Sequence, residues 1–172
     1  MPNLWRVVLL AAVLSPPARA GWAADEGDLK IELHGYLQFD GRFYPGAGDG
    51  DAGTDSFLLR RVRPSVQGTL GRHFEFTLTP DFGGGAAVVQ DAYLEVTLSR
   101  ALQVRAGKFK PPVGLERLQS ATDLALVERA LTSGLSPNRD VGLQLQGEVG
   151  AGVLTYAAGV FDGAPDGGSL DG

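Results

Sequence analysis

From Leu29 to Tyr44 the chain alternates without a break. Leu29, Ile31, Leu33, Gly35, Leu37, Phe39, Gly41 and Phe43 form one parity; Lys30, Glu32, His34, Tyr36, Gln38, Asp40, Arg42 and Tyr44 form the other. Successive side chains of a strand point to opposite faces, so the stretch predicts one strand with an apolar face and a polar face. It runs roughly sixteen residues, against about five or six for an ordinary globular strand. A bilayer crossing takes about nine to eleven tilted residues. The apolar face therefore meets either a protein core or lipid.

The pattern recurs down the chain. A second strand, about Phe57 to Leu70, sets Val62, Pro64, Val66, Gly68 and Leu70 against Arg61, Arg63, Ser65, Gln67 and Thr69. Arg60 falls on the apolar parity there, which predicts either a bulge or a place at the rim. A third strand alternates from Phe74 to Phe82, a fourth from Asp91 to Leu98, and a fifth from Leu102 to about Phe109. A sixth runs from Val141 to Val149 and a seventh from about Val153 to Phe161. Between the fifth and sixth, Lys110 to Asn138 does not alternate. Pro111-Pro112 opens it, and Asp123 to Leu131 predicts a short helix capped by Thr122 or Asp123. Irregular segments this long are usually functional.

Connections after the first, third and fifth strands are longer; those after the second, fourth and sixth are two or three residues. Short turns on one rim and long loops on the other mark an up-and-down membrane barrel. A soluble sandwich would show shorter strands and less regular connections. The predicted fold is thus all-β, a transmembrane antiparallel up-and-down β-barrel. About seven strands of a larger barrel are present, and the loop over about 110–138 folds inward as a constriction. The polar parity then lines the lumen with Glu32, Asp40, Arg42, Arg61, Arg63, Glu75, Asp81, Asp91, Glu95, Arg105 and Glu148. Such an interior holds water, so the barrel is a channel or a plugged lumen. Seven strands do not close such a barrel, and the chain stops without an aromatic-ended last strand. It reads as the N-terminal part of a longer protein.

The N-terminus changes the compartment. Arg6, the apolar run Val7 to Leu14, the break at Pro16-Pro17 and Ala18-Arg19-Ala20 predict a signal peptide over 1–20, cleaved after Ala20 or, second, after Ala23. The run is too short for a spanning helix. The mature part, 21–172, is then a β protein of the outer membrane.

Composition removes several chemistries. The chain has 172 residues, a net charge of -5 and no Cys. Neither a disulfide framework nor a thiolate nucleophile is available, and the acidic balance argues against nucleic acid as a partner. The Gly/Asp loop at Gly46 to Asp55 faintly resembles a calcium loop, but Gly53 holds a ligand position and no Glu closes it. His34 and His73 have no evident metal partners, and there is no nucleophile elbow, phosphate-cradling loop or zinc motif. The expectation is a non-enzyme without metal or cofactor.

A set of short pieces then points to a family. They are Leu59-Arg60-Arg61-Val62-Arg63, Gln90-Asp91-Ala92-Tyr93, Arg105-Ala106-Gly107-Lys108-Phe109-Lys110, Gly114-Leu115-Glu116-Arg117, Val127-Glu128-Arg129 and Asn138-Arg139-Asp140-Val141-Gly142. In this order and spacing the chain resembles the phosphate-selective porin O/P family of Gram-negative outer membranes, over about residues 29 to 162. The resemblance implies a sixteen-stranded barrel, usually a homotrimer, that passes small anions by diffusion. It also implies that the loop over Lys110 to Asn138 is the constriction. By the same resemblance Arg60 and Arg61 match the lumen arginine pair, Asp91 the constriction aspartate, Ser120 the loop hydroxyl and Arg129 the second loop arginine. Arg117 stands where the family has a loop lysine, and Tyr36 where an arginine is often seen. Arg117 keeps the charge and adds a fork for an oxyanion; Tyr36 loses a charge.

The expected mechanism is electrostatic. Cations at a narrow, low-dielectric constriction favour anions over cations. Arg61, Arg63, Arg105 and Arg117 are the candidates, with Lys108 and Lys110 at the base of the loop. The alternative is that these arginines pair with lumen carboxylates such as Asp81, Asp91 and Glu95 and only brace the wall. The protein would then be a structural barrel, an adhesin or an anchor.

Overall fold

In the computed structural model, residues 8–14, 22–43, 56–119, 135–150 and 152–163 are described. The strands are β1 (Val8–Leu14), β2 (Trp22–Glu26), β3 (Leu29–Phe43), β4 (Ser56–Leu70), β5 (Phe74–Asp81), β6 (Val88–Ser99), β7 (Leu102–Phe109), β8 (Asp140–Val149) and β9 (Leu154–Phe161). All pairings are antiparallel. From β3 to β9 each strand pairs with the next in sequence, an up-and-down sheet that is not closed on itself. The seven alternating stretches of the sequence are β3 to β9.

The other edge of β3 is shared. β2 pairs with its first half, Leu29 to Leu33, and β1 with its second, Leu37 to Phe43. β1 is the apolar run that the sequence reads as the core of a signal peptide. Any run without breakers can complete the hydrogen bonds of an open edge.

The two rims differ as alternation predicts. The turns at Gly27-Asp28, Gly71-Arg72-His73, Arg100-Ala101 and around Gly150 and Gly152-Val153 lie on one rim. There Gly71, Thr97 and Glu148 amides donate to the carbonyls of Asp28, His73 and Arg100. The opposite rim carries the longer connections. One of them is a turn of 3-10 helix at Gly83–Gly85, and another contains a four-residue helix, α1 (Leu115–Leu118).

The burial of the faces is inverted relative to a soluble protein. Leu33 (44% exposed), Leu143 (51%) and their neighbours on the apolar parity are uncovered. Among the described residues the buried hydrophobic side chain is Phe109, whereas Gln38, Asp40, Asp81, Glu95, Arg139, Asp140 and Gln144 are all buried. Water does not tolerate an apolar belt this continuous; hydrocarbon does. Aromatic rings gather at the ends of the belt, where a bilayer interface favours them. Phe57 stacks on Phe39 at 5.5 Å and meets Phe43 edge-on at 5.7 Å near the long-loop rim. Phe74 and Tyr156 lie at the short-turn rim.

Candidate functional site: the polar face below the long-loop rim

The site begins with an extra residue. Gln38 of β3 faces Arg61 of β4, but the next residue, Phe39, faces Leu59, so Arg60 has no opposite number. Of the two placements the sequence allows for Arg60, the structure has the bulge. In a regular strand adjacent residues point to opposite faces; a bulge lets two neighbours share one. Arg60 and Arg61 accordingly reach the same polar face. Arg60 pairs with Asp40 at 3.0 Å, and Asp40 is fully buried. Arg61 donates to the side-chain carbonyl of Gln38, whose amide donates to Asp40 at 3.2 Å.

Two positions along β4, Arg63 donates to Asp81 at 2.6 Å and lies over the Tyr36 ring at 5.8 Å. The other Asp81 oxygen accepts from the amides of Val62 (3.1 Å) and Gly83 (2.9 Å). Gly83 can approach this closely because it lacks a Cβ, which would fall 2.3 Å from the Arg60 carbonyl oxygen. The loop after β5 is thus pinned over the bulge.

Farther round the sheet Arg105 donates to Glu95 at 2.6 Å, and its guanidinium lies 4.5 Å from the Tyr93 ring centroid and 5.5 Å from that of Phe109. Gln146 donates to the same Glu95 oxygen at 2.9 Å and to Gln103 at 3.1 Å. One register row crosses four strands as Tyr93, Gly107, Gly142 and Phe161. The two glycines leave a gap between two aromatics, and Phe109 meets both rings edge-on, at 6.0 Å and 5.4 Å. This buries Phe109 to 1% exposure. The chain leaves the sheet immediately after it.

The segment between β7 and β8, expected to form the constriction, is described over 110–119 and 135–139. Lys110 donates to the carbonyls of Leu118 (3.3 Å) and Gln119 (3.0 Å). A guanidinium NH2 of Arg117 donates to the Ser136 carbonyl at 3.3 Å, while its buried Nε meets no acceptor among the described residues. Pro112 lines a cavity of about 490 Å³ with Gln103, Gln146 and Glu148 of the polar face, so the segment after β7 folds back over that face. On the far side of the loop Arg139 grips Asp91 with two hydrogen bonds, both 3.0 Å.

Of the residues expected at the site, Arg60, Arg61, Arg63, Asp91 and Arg105 share the polar face, and Lys110 and Arg117 belong to the segment packed over it. Lys108 does not: it pairs in register with Ala92 and Val141, on the outward row. Alternation itself decides this, since Gly107 and Phe109 are the inward residues. Ser120, Arg129 and the predicted helix Asp123 to Leu131 lie outside the described residues, as does the acidic loop at Asp49 to Asp55. Sequence reasoning missed Gln38 and Arg139 as site residues. Gln38 was legible as the polar residue opposite the arginine pair; Arg139 depends on a contact 48 residues away.

The charges are mostly matched. Arg60, Arg63, Arg105 and Arg139 each hold a carboxylate: Asp40, Asp81, Glu95 and Asp91. Arg61 holds only a neutral amide; among the described residues no carboxylate lies within ion-pair distance of it.

A family model described as phosphate-selective porin O and P matches residues 31–171. No match to the chain was found among curated proteins or among solved structures.

Proposed function

The chain belongs to the phosphate-selective porin O and P family, and from that membership we propose that it supplies wall and constriction to an anion-preferring channel with a local cationic filter. The family is one of porins, not of enzymes, and implies a Gram-negative outer-membrane location. The finer reading is ours. A leader over residues 1–20 sends the chain across the inner membrane, and the mature barrel assembles as a homotrimer.

The observation that carries the reading is that, among the described residues, Arg61 bonds an amide and no carboxylate lies within ion-pair distance of it. A guanidinium bonded to an amide oxygen keeps its full positive potential, whereas one bonded to a carboxylate is neutralised nearby. In a narrow lumen with low-dielectric walls, one such charge attracts anions and repels cations. Arg60, Arg63 and Arg105 hold the wall around it, with Asp91 anchoring the loop. Arg117, whose buried Nε meets no acceptor among the described residues, and Lys110 bring the loop's cations to the same face, and Ser120 and Arg129 join the proposed anion contacts on the family resemblance alone. The forked geometry of arginine suits an oxyanion, and phosphate is the substrate we infer within the small anions.

The test is the reversal potential of the full-length protein in a planar bilayer under a salt gradient. Arg61→Ala lowers the anion-to-cation permeability ratio, and added phosphate blocks the wild-type current more than that of the variant. An unchanged ratio removes Arg61 from the filter. A second reading has its own support. Four arginine–carboxylate pairs on one face suit a braced barrel without selective transport, which would show no anion preference in the wild type.

A further inference from the structure

The two ends of the constriction loop are both tied to one strand. Phe109, the last residue before the loop, packs on Tyr93, and Arg139, the last residue of it, grips Asp91. Asp91 and Tyr93 are two apart on β6, so they stand side by side on its polar face.

We propose that Arg139 is a positioning residue of the filter: its grip on Asp91 sets where the Arg117 guanidinium sits. This rests on the reading of Arg117 as a filter cation. The chain of contacts is short. Arg117 donates to the carbonyl of Ser136, three residues before Arg139. At Gly114, three residues before Arg117, a Cβ would fall 2.5 Å from the Ser136 hydroxyl oxygen, so the two legs of the loop are in close contact there. Lys110 ties the first leg to the carbonyls that end α1. Arg117 thus hangs from a backbone whose anchor on the wall is the Asp91–Arg139 pair. The pair is bidentate and largely buried, with side chains 20% and 10% exposed. That geometry fixes direction as well as distance. Arg139 itself spends its fork on Asp91 and, among the described residues, donates one further hydrogen bond, to the Asn138 side-chain oxygen at 3.5 Å. It acts on ions through Arg117, not directly.

The experiment is a double-mutant cycle on the full-length protein in planar bilayers, read as the anion-to-cation permeability ratio. Arg139→Ala and Asp91→Asn each lower the ratio toward that of Arg117→Ala. Arg139→Ala adds no further loss on top of Arg117→Ala, because the two act in series, and Arg139→Lys restores part of the ratio. Additive losses overturn the proposal, since Arg139 then meets ions itself. A wild-type ratio in Arg139→Ala, with a lowered one in Arg117→Ala, overturns it too. An unchanged ratio in Arg117→Ala sinks the filter reading instead. The positioning is then read by trypsin cleavage after Arg117 in proteoliposomes, which rises in Arg139→Ala; cleavage at the wild-type rate overturns it. If Arg139→Ala does not assemble, the neutral pair Asp91→Asn with Arg139→Gln replaces it in the same cycle, with the same expected loss.

Discussion

At Gly107 the backbone has φ of 129°, and an added Cβ would fall 2.2 Å from the carbonyl oxygen of Ala92. The glycine is where Phe109 finds room and where the loop's first leg is set. Gly107→Ala is expected to cost about 1–3 kcal/mol of backbone strain, measured as a lower denaturant midpoint of the barrel in lipid vesicles. An unchanged midpoint would mean that β6 and β7 move apart at little cost. Periodicity placed Gly107, Gly142, Tyr93, Arg61, Arg63 and Asp91 on the correct face, because face is a local property of the strand. It did not pair them. Whether an arginine meets a carboxylate, as Arg63 meets Asp81, or an amide, as Arg61 meets Gln38, depends on register and on which side chains the sheet brings within 3 Å. Lys108 shows the opposite case: its parity was legible, and its place beside a predicted loop drew it into the site. The structure returns it to the outward row with Ala92 and Val141.

β3 to β9 were legible to within about three residues, from alternation and from the glycines and prolines that end it, whereas β1 was read as a leader and β2 was not foreseen. The bulge in β4 was legible only as an irregularity. Its effect can be separated from its charge. Removing Arg60 leaves Leu59 outward and Arg61 inward, so the strand keeps its phase. Removing Val66 from the regular part of β4 turns every side chain on one side of the cut to the wrong face. The expected outcome is that the Val66 deletion fails to insert into vesicles, while the Arg60 deletion inserts with lowered stability, since the buried Asp40 loses its cation. Insertion is scored by protease protection and by the β signal in circular dichroism. Equal insertion by both would argue against a fixed register. α1 was not legible: four residues are too few to show a helical period, and the turn that starts it rests on Gly114 at φ of 78°.

For the whole molecule the decisive property is the direction of burial. Carboxylates and glutamines are covered while leucines and valines are bare, and only an apolar surrounding makes that arrangement stable. Leu143 sits near the middle of β8 on the outward row. Leu143→Arg is expected to destabilise the barrel by about 2–4 kcal/mol in vesicles, the cost of a cation at mid-depth on a lipid-facing strand. A change near zero would mean that this row faces protein or water. The sheet's up-and-down order and its unequal rims followed from the sequence, because hairpin turns leave clear local signals. How the sheet closes and what fills the lumen are not local properties.

The Asp91–Arg139 grip also bears on the order in which the protein is made. Its two halves are 48 residues apart, and such a contact gains nothing until the intervening chain has been brought round, since loop closure costs entropy before the contact rewards it. Hairpins β5–β6 and β6–β7 are local and form at once by comparison. The grip waits for β8 to join β7. On the proposed reading of the loop as a filter, a nascent barrel is therefore a wide opening first and a selective one last.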